Sequence, residues 1–148
     1  MEKSLVLSVS ISARLGCYRH IQISEDETLY RLSEAILDSF DFSDDHLHAF
    51  YMDNRSYDSY ERYVSPYCDS DYARGFSDKV KLSNFRLGKG YKFLYIFDFG
   101  DNWRFHIRVL RIVDEPTKSP LVLKSVGEIS QYGDDEDDWD NEDGDDGV

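Results

Sequence analysis

Residues 3–12 alternate between apolar and polar side chains, with Leu5, Leu7, Val9 and Ile11 on one parity and Ser8, Ser10 and Ser12 on the other. A strand sends successive side chains to opposite faces, so this stretch predicts a strand with one buried side. Ala13 to Gly16 reads as a turn, and Cys17 to Ile23 alternates again, Cys17, Arg19, Ile21 and Ile23 against Tyr18, His20 and Gln22. The two runs predict a hairpin. The period then changes. Leu29, Leu32, Ile36 and Phe40 recur at helical spacing, with Ala35 and Leu37 beside them. Thr28, or Ser24 before it, can cap this helix, and Glu25, Asp26 and Glu27 place negative charge near the positive end of its dipole. The helix should end near Phe40, where a polar turn, Asp41 to Asp45, carries one aromatic, Phe42, that is expected to tuck inward.

His46 to Met52 predicts a short strand with His46, His48, Phe50 and Met52 on one face. Residues 53–79 are irregular and hold Tyr57, Tyr60, Tyr63, Tyr67 and Tyr72. A connection of that length is usually functional or conceals a short element. Its tyrosines are candidates for a lid over the sheet or for an exposed interaction surface. Val80 to Leu82 re-enters order, Ser83 can cap a single turn, and Gly88-Lys89-Gly90 breaks it. Tyr91 to Asp98 and Trp103 to Val113 are the two longest alternating runs and predict the central hairpin. Pro116 and Pro120 mark its exit, and Leu121 to Leu123 offers a last short strand. The expected fold is α+β, a single domain with a mostly antiparallel or mixed sheet of about five strands on one main helix. Its order is β-β-α-β-short helix-β-β, which is β-grasp-like by analogy.

Composition divides the chain. Of its 30 acidic residues, ten lie in residues 134–148, a stretch with no Lys or Arg. Removing them leaves 20 acids against 17 bases, so the overall charge of −13 falls to −3 in residues 1–133. Residues 1–133 therefore read as the folded domain, and residues 134–148 as an acidic, self-repelling, disordered tail. An aromatic content of 15% is more than disordered chains carry, which supports folding of the body. No run is apolar enough for a membrane span, and the N-terminus lacks the pattern of a secretory signal. With Cys17 and Cys68 far apart and in no CxxC pair, a reducing cytoplasm and free thiols are expected. The charge count favours a protein partner over nucleic acid, which needs a positive surface. Oligomeric state is left open.

The polar cluster in the central hairpin, Asp98-Phe99-Gly100-Asp101-Asn102-Trp103, contains a kinase tripeptide. The phosphate loop and catalytic loop that a kinase needs are absent, as are a Walker-type loop and a nucleophile elbow. The economical reading is structural. Asp98, Asp101 and Asn102 bond nearby backbone N–H groups, Gly100 supplies a positive φ or a close approach, and Trp103 covers the hairpin base with an indole N–H that needs a partner. His46 and His48 stand two apart, and with Asp98 and Asp101 they form a candidate divalent-metal or hydrolytic site if the strands are neighbours. His46, His48, Asp98, Gly100, Asp101 and Trp103 are thus the binding candidates. No catalytic residue and no cofactor is assigned from the sequence.

With these residues in place, the chain resembles the plasmid pRiA ORF-three-like family, also labelled insertion-element passenger or "TnpR-like" proteins. The resemblance covers about residues 4–133. It rests on Leu5 to Ile11, Thr28-Leu29-Tyr30-Arg31-Leu32, Asp45-His46-Leu47-His48-Ala49-Phe50, Val80-Lys81-Leu82-Ser83 and, above all, Phe97-Asp98-Phe99-Gly100-Asp101-Asn102-Trp103. Many members have a histidine two residues after the tryptophan, where this chain has Phe105 and, one further on, His106. Many also end in a Gly-Gly-Pro-Trp-Gly-Tyr type of segment, where this chain has Gly127 to Tyr132. The resemblance implies an α+β domain and a mobile-element context, with no established activity. The resolvase-like label does not carry over, because neither an activated serine among arginines nor a basic helical domain is present. The sequence reading is a small, non-catalytic protein-interaction module whose acidic tail and tyrosine-rich loop are the contact surfaces. The alternatives are the His/Asp enzyme and a nucleic-acid-associated protein.

Overall fold

The structure is a computed structural model and describes residues 3–55, 61–68 and 73–131. The acidic stretch and Tyr57, Tyr60 and Tyr72 lie outside the described residues. The elements run β1 (Ser4–Ile11), β2 (Tyr18–Ser24), α1 (Leu29–Ser39), β3 (His48–Tyr51), β4 (Arg62–Val64) and β5 (Gly75–Phe76). Two 3-10 turns follow, Ser77–Lys79 and Leu82–Asn84, and then β6 (Lys92–Phe97), β7 (Trp103–Val113) and β8 (Leu121–Val126). The eight strands among the described residues form one sheet, ordered β5-β4-β3-β6-β7-β1-β2-β8. Every pairing is antiparallel except β4 with β5.

The α+β class, the one α-helix among the described residues and the mixed sheet are as expected, but the count of about five strands and the grasp-like order are not. β4 and β5 are three and two residues long, too short for alternation to show in the irregular tyrosine-rich segment. The first hairpin joins the central one directly through the long β1–β7 pairing. The expected short helix at Ser83 is a 3-10 turn, preceded by a second one at Ser77.

α1 begins where the cap predicts: Thr28 Oγ1 accepts from the Arg31 N–H at 3.1 Å. The extended segment between the two turns helps to seat this end. Leu29 N–H donates to Val80 O, and Leu82 N–H to Glu27 O. At the other end Asp41 takes a positive φ of 62°, and Phe42 N–H returns to Leu37 O at 2.8 Å. That reversal turns Phe42 inward, edge-on to Trp103 at 5.1 Å.

The helix covers one face of the sheet. Leu29, Leu32, Ile36 and Leu37 pack with Leu5, Leu7, Val9, Ile21, Ile23, Phe105, Ile107 and Val109. Arg19 shares this buried face. Its guanidinium lies over the Phe40 ring at 4.3 Å and donates to Ser39 O, Tyr18 O and Val126 O, tying the helix C-terminus to β2 and β8. The opposite face is divided. On its β3–β6 half a second apolar cluster, Ala49, Tyr51, Val64, Leu94 and Ile96, is covered by Cys68 and Ala73 from the β4–β5 connection. The β7-β1-β2-β8 half carries exposed or half-exposed polar side chains.

Candidate functional site

The Asp98–Trp103 cluster forms the connection from β6 to β7. Asp98 Oδ1 accepts from Gly100 N–H at 3.1 Å and Asp101 N–H at 3.2 Å, and Asp98 O accepts from Asn102 N–H. The turn thus satisfies its own backbone. The left-handed positions are Asp98, φ 65°, and Asn102, φ 58°, rather than Gly100 as expected. Aspartate and asparagine tolerate that region because their short polar side chains bond locally. Asp101 is exposed and contributes its N–H. Trp103 is half buried against Phe42, and its indole N–H has no hydrogen-bond partner among the described residues.

β3 does lie beside this hairpin, with His48 paired to Phe97 and Asp98 N–H donating to Leu47 O. His46 Nε2 comes within 3.4 Å of Asp98 Oδ2 and 3.5 Å of Asp45 Oδ1. His48 goes elsewhere. The strand begins only at His48, so His46 is not held to its alternation. His48 is buried under α1, with Nε2 2.8 Å from Ser77 Oγ and Nδ1 3.4 Å from Ser33 Oγ. Ser33 Oγ in turn lies 2.5 Å from the Tyr95 hydroxyl. Burial lowers the His48 pKa from 6.5 to about 4 and raises that of Tyr95 well above its usual value, so both are neutral across the physiological range. Among the described residues, no group of three or more His, Cys, Asp or Glu side chains is placed to hold a metal ion. Of the four candidate metal-site residues, the fold pairs His46 with Asp98 and separates His48.

Of the tyrosines proposed as contacts, Tyr63 is a core residue packed edge-on to Phe85 at 5.2 Å, whereas Tyr67 is 84% exposed.

The sheet's open half presents an arrangement that the strand patterns alone did not reveal. Lys92 pairs with Arg108, Arg108 with Ser8, Ser8 with His20, and His20 with Lys124, forming one row across β6, β7, β1, β2 and β8. At the usual strand spacing this row is ~19 Å long. The next row runs Leu94, His106, Ser10, Tyr18 and Val126. A bulge between Val6 and Leu7 on β1 brings Arg111 opposite Val6, on the face of Arg108. A second bulge aligns Lys124 with His20. Burial and the nearby charges of Lys124 and Arg111 lower the His20 pKa. None of the five strands contains an aspartate or a glutamate. Arg104, His106 and Arg108 were visible in the sequence as the polar parity of β7. Their union with His20, Arg111 and Lys124 depends on strand order and on two bulges, which no local pattern encodes.

The family model described as plasmid pRiA4b ORF-3-like protein matches residues 4–135. The chain is also similar to a solved structure, a protein of unknown function, MM3350, from Methanosarcina mazei Go1. The two share 32% identity with a TM-score of 0.67, over 84% of this chain and 70% of that one. No match is found among curated proteins.

Proposed function

This chain belongs to the plasmid pRiA4b ORF-3-like protein family, and we propose that it is a non-catalytic interaction module that docks an anionic partner on the open half of its sheet. The observation that carries this reading is the cross-strand row Lys92–Arg108–Ser8–His20–Lys124, on five strands free of acidic residues. Net charge averages over the whole surface. Binding responds to the local field, because charges beyond about 10 Å are largely screened at moderate salt. The −3 of residues 1–133 is therefore compatible with one basic face.

The other polar cluster supports a structural role. The Asp98 carboxylate is engaged by the turn and by His46, and His48 is enclosed by Ser33, Ser77, Tyr30 and Tyr95. An association with plasmids or mobile elements, suggested by the family description, belongs to the same proposal.

Heparin chromatography tests the docking surface. A protein with a sequence pI near 4.5 should be retained on this polyanion at low salt and eluted by raising it. The double variant Arg108→Glu, Lys124→Glu should flow through with an unchanged circular dichroism spectrum. Flow-through of the wild-type protein, or equal retention of the folded double variant, would remove the open face from this role.

A further inference from the structure

We infer that the anionic partner is a single-stranded nucleic acid, held through its phosphates by the basic row and through a base stacked at Tyr18. The inference rests on the anion-docking reading above and adds what the aromatic residues of the same face contribute. Tyr18 and His20 stand two apart on β2 and share the open face, with ring centroids 5.3 Å apart. Both are only half buried, and Lys124 Nζ lies over the Tyr18 ring, 5.8 Å from its centroid. A concavity of about 500 Å³ opens beside them, lined by Ser8, Ser10, Ser12, Tyr18, His20 and His106. The β1–β2 turn, Arg14 to Cys17, forms the rest of its wall, so aromatic and hydroxyl-bearing side chains share the lining with the turn. The small side chains of Ser8 and Ser10 leave the floor of β1 low between the flanking strands, so a flat ring can approach it.

These features distinguish the partner from an acidic protein segment. Carboxylates would use the cations and leave the aromatic wall idle. A nucleobase uses both, since its π-face stacks on tyrosine whatever its sequence, while Ser hydroxyls and His106 offer donors and acceptors to its edge. Ser12 Oγ and His106 Nε2 are already 2.6 Å apart, which places the imidazole toward the concavity. A duplex hides its base faces, so stacking of this kind selects a single strand. Arg108 lies within the cross-strand row, which Lys92 and Lys124 end, and Arg104 and Arg111 flank it along β7, so the phosphates meet cations in both directions.

Fluorescence anisotropy on the full chain tests this inference, using labelled oligouridylate, labelled oligodeoxythymidylate, a duplex of matched length and a labelled oligoglutamate peptide. At least one single strand should bind more tightly than the duplex or the peptide, with affinity falling as salt rises. Tyr18→Ala should weaken single-strand binding by about 5- to 150-fold, the range of one lost base–aromatic stack, while heparin retention stays unchanged. Arg108→Ala should lower affinity for every anion and flatten the salt dependence by about one phosphate contact. Binding of the peptide but of neither oligonucleotide would overturn the inference and leave the docking surface standing. So would equal affinity for duplex and single strand with no effect of Tyr18→Ala. Failure of heparin retention would overturn both readings.

Discussion

His48 Nε2 lies 2.8 Å from Ser77 Oγ, and both residues are shielded from solvent between α1 and the sheet. Burial holds the histidine neutral, with its pKa lowered from 6.5 to about 4. The folded pKa lies below the unfolded one, so between these values the unfolded chain takes up the additional proton. Stability from this group is therefore complete above pH 6.5 and is lost as the pH falls toward 4, by about 3 kcal/mol in total. Urea unfolding of the wild type and of His48→Gln between neutral pH and pH 4 checks this. Carboxylates contribute equally to both proteins, so the difference between the curves isolates His48. The variant should be less stable at neutral pH and show the shallower loss on acidification. Parallel curves would refute the assignment.

The same pocket joins Ser33 Oγ to the Tyr95 hydroxyl at 2.5 Å. Neither group reaches water, so deleting one partner strands the other at a cost of about 1–3 kcal/mol. Tyr95→Phe should be the milder change, because a helical serine can turn its hydroxyl to the carbonyl one turn back. Ser33→Ala leaves the phenol without that acceptor or donor. A double-mutant cycle by chemical denaturation should show the double variant losing less than the sum of the single losses. Strict additivity would mean that the pair contributes nothing jointly.

The sequence revealed the long elements because their burial follows a single period. β1, β2, β7 and α1 each keep one apolar face in register with the core, and Thr28 announces the helix start. β4 and β5 were hidden because two or three residues cannot display alternation. The basic face was half legible. Ser8, Ser10, His20, Arg104, His106 and Arg108 already occupied the polar parity of their strands. Arg111 joins them only because a bulge absorbs one residue, and Lys124 only because β8 pairs with β2 rather than with β7, its neighbour in sequence. The histidines show the reverse failure. Spacing alone placed His46 and His48 on one face, but the strand starts between them, and they serve different neighbours.

Asp98 combines two requirements, a left-handed backbone at φ 65° and an acceptor for the N–H groups of Gly100 and Asp101. Substitutions that separate these requirements should rank predictably. Asp98→Asn keeps both and should cost little. Asp98→Gly keeps the backbone and loses the acceptor, and Asp98→Ala loses the acceptor and adds strain of about 1–2 kcal/mol. Thermal unfolding should therefore order the proteins wild type, Asn, Gly, Ala, from most to least stable. If the Ala variant equals or exceeds the Gly variant, the turn does not need the left-handed conformation at this position.

Gly127 follows β8 with φ 81°, and a Cβ there would lie 3.0 Å from Cys17 Cα and 3.3 Å from Cys17 Sγ. Both penalties of a side chain meet at this residue. The backbone is in the region that L-residues avoid, and the colliding atoms belong to Cys17, buried immediately before β2, rather than to a flexible surface chain. Gly127→Ala should therefore destabilise the fold by about 2–4 kcal/mol. Relief would come most readily by moving β8, since it is an edge strand paired only to β2 and its residues Leu121 to Leu123 are already half exposed. Amide hydrogen exchange should show protection lost first along Leu121–Val126, with the β1–β7 ladder still protected. Because Lys124 closes the basic row, the same variant should elute from heparin at lower salt than the wild type. Unchanged exchange in β8 would show that the strand is anchored by Arg19 and its bond to Val126 O and not by the fit of Gly127 against Cys17.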